Sequence, residues 1–69
     1  MPKPYAVCAR LAHLLENLPA GGDEQRFAVM ALCKEAMDAL DTYEGRDLDI
    51  VREVVCGRVG KAQAAVGLQ

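Results

Sequence analysis

The fold turns on Asp23-Glu24-Gln25-Arg26-Phe27-Ala28-Val29-Met30-Ala31-Leu32-Cys33-Lys34-Glu35-Ala36-Met37-Asp38-Ala39-Leu40-Asp41-Thr42. Val29, Met30, Cys33, Ala36, Met37 and Leu40 recur at three- and four-residue steps, which predicts one apolar helical face. Leu32 widens one edge of that face and Phe27 the other. At about 100° per residue the stripe covers roughly half of the circumference. Glu35, Asp38, Asp41 and Lys34 fill the remainder. A stripe so broad touches two neighbours at once, which makes this the expected central helix. Asp23 is placed to cap its free N–H groups, and Glu24 complements its dipole.

Working outward, Val7, Leu11, Leu14, Leu15 and Leu18 mark an amphipathic helix over about Tyr5–Leu18, with Arg10, His13, Glu16 and Asn17 opposite. Pro4 suits its first turn and Pro19 stops it. Pro19-Ala20-Gly21-Gly22 forms a loop. Beyond the central helix, Gly45 is the expected terminator and Asp47 the cap of a third helix, about 47–57. Leu48, Val51, Val54, Val55 and Val59 define its apolar face. Ile50 and the valines favour a strand by propensity, but strict alternation is absent and a lone strand has no partner. Gly57 and Gly60 are expected to end this helix or form a joint, with a short extension at 61–66 continuing the face. The fold class is therefore all-α: one domain over residues 1–69, a helical hairpin plus a third helix in a small three-helix bundle.

Composition excludes several functions. The 69 residues are 52% apolar with two Tyr, one Phe and no Trp. Serine is absent and Thr42 is the only other aliphatic hydroxyl, so serine nucleophiles, Ser-His-Asp triads and Walker-type phosphate loops are ruled out. The net charge is −2, and the basic residues are scattered singly rather than striped, which disfavours phosphate-backbone or anionic-membrane binding. No apolar run of about 18 residues is available to span a bilayer, and Met1-Pro2-Lys3-Pro4-Tyr5 lacks the apolar core of a secretory signal. The three cysteines, Cys8, Cys33 and Cys56, are odd in number and too widely spaced for a CxxC pair. Reduced thiols in a cytoplasmic setting are the expectation.

Small domains have thin stability margins and often rely on disulfides, metals or partner chains. With disulfide and metal patterns absent, a partner chain is the expected support. Two helices cannot hide all of a third helix's wide apolar face. The predicted partner-binding residues are Phe27, Met30, Leu32, Met37, Ile50 and Val54, and oligomerisation is expected. The methionines suit a surface that repacks against partners. The acidic edge around Asp38, Asp41 and Glu44 is expected to steer a basic partner. The bland alternative is that all of these apolar side chains fill one core.

Other candidate sites fail on chemistry. His13 lies on a polar face without an evident cleft or orienting carboxylate. Cys33 and Cys8 sit in or beside apolar faces and read as small core residues. Cys56 is the best candidate for an exposed thiol, with Arg52 one turn away to lower its pKa, but no resolving cysteine accompanies it. A metal held by the three cysteines and His13 would need all helices to converge at one level. The acidic run from Glu35 to Glu53 misses an EF-hand: with Gly45 at the sixth position, Leu40 stands first and Val51 twelfth. Gly60–Gln69 loosely resembles the opening of a helix-turn-helix, with no recognition helix after Gln69.

The expected function is a small non-enzymatic protein–protein interaction module of adaptor, secretion co-chaperone or inhibitor type. It binds a protein partner or its own copy as a homodimer. No cofactor, metal, membrane, nucleic acid or small-molecule substrate is expected. The alternative is a small DNA-binding regulator using the partial helix-turn-helix.

Overall fold

Residues 2–67 are described by a computed structural model. Three α-helices follow one another: α1 Lys3–Asn17, α2 Asp23–Asp41 and α3 Leu48–Ala65, with no strand among the described residues. Helix is the observed state of the β-branched third segment. Tyr5 and Cys8 share a groove with Val54 and Arg58, while Leu11 and Leu15 share one with Ala62 and Ala65. Thus α1 and α3 run parallel and α2 returns antiparallel between them. The tightest pairing is the α1–α2 hairpin.

α1 begins two residues before its expected start. Pro2 takes the N-cap position, its carbonyl accepting from the N–H groups of Tyr5 and Ala6, and Pro4 sits buried in the first turn. Proline fixes φ near the helical value and loses nothing in a first turn, where N–H groups lack intrahelical acceptors. At the other end Leu18 is extended, as the residue before a proline must be.

The start of α2 differs from expectation. Asp23 makes no capping hydrogen bond, and Gly22 occupies the N-cap. Gln25, buried in the third helical position, instead reaches back and accepts the Gly21 N–H at 3.0 Å. Gly21 has φ +81°, a conformation that glycine adopts without strain. This is the reciprocal half of a capping box, shifted by one residue.

Gly45 does not terminate α2, which ends four residues earlier at Asp41. It makes room for Tyr43: a β-carbon at position 45 would collide with the Tyr43 hydroxyl and ring. The Tyr43 hydroxyl donates to the Arg46 carbonyl at 2.7 Å, folding the ring over the loop and against the core. Asp47 stands at the N-cap of α3 in a left-handed conformation, φ 59°, without a side-chain cap bond.

The largest departure is α3 itself. The helix passes through Gly57 and Gly60 without a joint and continues to Ala65. Each mid-helix glycine costs about 1 kcal/mol relative to alanine. Val59 between them and Ala62 and Val66 beyond them are buried, and each buried valine contributes about 1.5–3 kcal/mol. Burial outweighs the glycine penalty, so the helix persists. Gly67, with φ +77°, then ends it by donating its N–H to the Ala64 carbonyl, as in a Schellman-type terminus.

Val7, Cys8 and Leu11 of α1, Val29, Leu32, Cys33, Ala36, Ala39 and Leu40 of α2, and Val51, Val55, Val59 and Ala62 of α3 form one core. Ala36 and Ala39 are buried within it and are among its smallest side chains.

Candidate functional site

The periodicity of α2 is correct but its orientation is not. The observed inward face, Gln25, Val29, Leu32, Cys33, Ala36, Ala39 and Leu40, is rotated by about 60° from the expected one, which centres on Cys33 with Met30 and Met37 toward one edge, taking about 100° per residue. Leu32 moves from the edge toward the middle of the inward face and is 9% exposed. It packs toward α1, bordering a shallow groove with Ala9, Arg10, His13, Leu14 and Leu18. As a contact for another chain Leu32 is therefore corrected: it is a core residue. Alanine and glutamine carry the missing signal, since neither weighs heavily in a hydrophobic pattern, yet both face inward here.

The same rotation turns Phe27 and Met30 outward. Phe27 is 69% exposed and Met30 50% exposed. Phe27 lies on the side of α2 opposite the core, not at the rim of the buried face. Met37 is half-buried and joins Met30, Cys33 and Lys34 of α2 with Val59 and Gln63 of α3 around an open groove of about 290 Å3. The other two predicted contacts belong elsewhere. Ile50, 58% exposed, stands in the first turn of α3. Val54 is half-buried beside Tyr5, Cys8, Ala9 and Arg58. Antiparallel packing puts the start of α3 beside the end of α2, so Ile50 is at the far end of the bundle from Phe27. The six residues thus divide into an α2 outer face (Phe27, Met30, Met37), a core residue (Leu32) and an α1–α3 patch (Ile50, Val54).

Asp38, Asp41 and Glu44 are all exposed at the end of α2 and in the loop after it. Lys34 approaches Asp38 at 3.8 Å, one turn away. The last turn of α2 has no basic residue, so these carboxylates face the negative end of the helix dipole. Each such placement costs about 0.3–1 kcal/mol. On the α1 side, Arg10 pairs with Glu35 at 2.7 Å across the helix–helix interface.

The remaining candidates are placed as follows. His13 is exposed, and the Asn17 side-chain amide donates to its backbone carbonyl at 2.7 Å. Among the described residues, no three His, Cys, Asp or Glu side chains come together as a metal-holding group. Cys8 and Cys33 are buried and Cys56 is exposed, all as free thiols. Burial pushes the Cys8 thiol above its ordinary 9.0, with Arg58 opposing in part. Burial also raises Cys33, and neighbouring Cys8 adds to the effect. Arg52 turns to Asp49, at 3.4 Å. Gly60 lies inside α3, and the turn follows at Gly67. No helix among the described residues is long and apolar enough to cross a membrane.

Comparison with family models, with curated proteins and with solved structures returned no match to this chain.

Proposed function

We propose that this chain is a small helical interaction module, without chemistry of its own, that binds another protein chain through the outer face of α2. One observation carries the reading: the bundle encloses a full core while Phe27 points into water from the side of α2 opposite it, with Met30 half exposed beside it at the edge of the α2–α3 groove. Aromatic side chains and methionine are enriched at protein interfaces, and flexible thioethers repack against a partner. An adaptor, co-chaperone or inhibitor role fits this surface, and association gives a small bundle the added stability that its size limits. Three free thiols support a reducing, cytoplasmic setting.

The test is site-specific photocrosslinking in the cells that produce the protein, with a photoreactive phenylalanine analogue at position 27 and, separately, at the exposed Glu53 of α3. A discrete protein adduct from position 27 and none from position 53 is expected. Equal labelling at both positions, or no adduct at 27, would overturn the reading.

A further inference from the structure

We propose that the occupant of the α2 outer face is a basic amphipathic helix from a different protein, laid along α2; this rests on the interaction reading above and names its partner class. Phe27, Met30, Lys34, Met37 and Asp41 follow one another at three- and four-residue steps along the outer face, the spacing of the a and d positions of a coiled-coil seam. Phe27, Met30 and Met37 flank a central Lys34, and the seam is acidic at both ends. Asp23 and Glu24 stand at the N-terminal end, and Asp38 and Asp41, followed by Glu44, at the C-terminal end, all exposed. Only Arg26 and Lys34 oppose them in sign along this face, and Lys34 is drawn to Asp38.

Asp38 and Asp41 supply a second argument. At the C-terminus of α2 they work against the helix dipole and lack a basic residue in the last turn. Helix stability alone does not favour carboxylates there. A cationic side chain brought by a partner relieves both the dipole conflict and the mutual repulsion.

A second copy of the chain fits this face poorly in the two registers that overlap α2 along its full length. In an antiparallel pairing that sets Phe27 against the copy's Met37, Asp23 falls opposite the copy's Asp41. In a parallel pairing Lys34 meets Lys34 and Asp41 meets Asp41. Both registers juxtapose like charges, which discriminates strongly against a partner. A helix with an aliphatic stripe flanked by Arg or Lys meets the same face with opposite charge at both ends. α2 is about 28 Å long, so the matching segment is about nineteen residues. The interface is then near the lower limit of specific ones, about 1,200 Å2 in total, which corresponds to a reversible association.

The experiment uses the full chain and two synthetic helical peptides of matched length. Both have Leu at heptad a and d positions; one is flanked by Arg and the other by Glu. Binding is read by fluorescence anisotropy, and the oligomeric state by sedimentation velocity. The Arg peptide is expected to bind at least about tenfold tighter than the Glu peptide, a difference of about 1.4 kcal/mol. Phe27→Glu, and the pair Asp38→Lys with Asp41→Lys, are each expected to weaken the Arg peptide by about tenfold. Glu53→Lys, which makes one such charge reversal on α3, is expected to leave affinity unchanged, and circular dichroism confirms that every variant folds. Equal affinity for both peptides, or equal loss in the Glu53 variant, overturns the proposal. A chain that sediments as a dimer through Phe27 and ignores the Arg peptide also overturns it, while leaving the interaction reading in place. Failure to bind either peptide, together with no crosslink from position 27, removes both.

Discussion

α2 and α3 are nearly equal in length, 19 and 18 residues, and each is covered on one side, yet their uncovered sides are built from opposite materials. α2 exposes Phe27 and Met30 with Met37 beside them, whereas α3 exposes Leu48 and Ile50 in its first turn and then Glu53, Gly57, Gly60 and Lys61 along the rest of its length. Nothing lies within 4 Å of a β-carbon placed on either α3 glycine. The outer side of α3 had room for larger residues and carries the smallest, at a cost in helix stability. The apolar side chains on the outer side of α2 are led by Phe27, the most exposed large hydrophobic among the described residues at 69%. They are concentrated on one face, and that face is the one proposed to bind.

The contrast is broken or sharpened most strongly by testing each side of α2 and α3 for what it contributes to folding. Leu11→Ala and Leu32→Ala empty the core and should each cost about 2–5 kcal/mol in a denaturant melt, enough to unfold much of so small a domain. A loss below about 1 kcal/mol at either position would mean that the core is looser than the burial of these residues implies. Gly57→Ala and Gly60→Ala should stabilise by about 1 kcal/mol each, since no neighbour obstructs a methyl group. In a domain of this size each raises the melting temperature by about 4–8 °C. Destabilisation by either would show that the α3 outer face needs its glycines for a close approach.

The thiols test inside against outside by pH. Cys8 and Cys33 have folded-state pKa values raised above 9.0, mainly by burial. The folded chain therefore holds these protons more tightly than the unfolded chain. Their contribution is fully present below pH 9.0 and is lost as pH rises through the raised values. Melts on the alkaline side should show a steeper loss for the natural chain than for the Cys8→Ala, Cys33→Ala double variant, and identical slopes would contradict the burial. At neutral pH a thiol reagent should modify Cys56 alone until the protein unfolds.

Smaller effects belong to the α2 outer face. Asp41→Lys should raise stability by about 0.3–1 kcal/mol through the helix dipole while weakening capture of a basic partner; a variant both less stable and equally competent in binding would reverse that assignment. Phe27→Ala should change stability by no more than about 0.5 kcal/mol. A large loss would place the ring in the fold and remove it from the surface.

The comparison also shows which parts of the molecule were legible. The helix at Asp23–Asp41 is plain from its spacing, and Cys33, Val29 and Leu40 lie in the core as their period demands. Leu32 and Phe27 were nearly equivalent on a hydrophobic wheel, one at each edge of the stripe. The structure separates them almost completely, because α2 turns Gln25, Ala36 and Ala39 inward with Leu32 and leaves Phe27 on the opposite side. Close helix–helix contact depends on small side chains, which a scale of apolarity underweights. Gly57 and Gly60 misled in the other direction: local propensity marks them as a break, and the burial of Val59, Ala62 and Val66 carries the helix through.

By itself the sequence determined that the chain is helical and where two of its three helices lie, because periodicity acts within a few residues along the chain. Which way α2 is turned, and so whether Leu32 or Phe27 meets water, was decided only when two other helices competed for its faces. That competition depends on how near the backbones can come, a property of pairs of helices that no single segment contains.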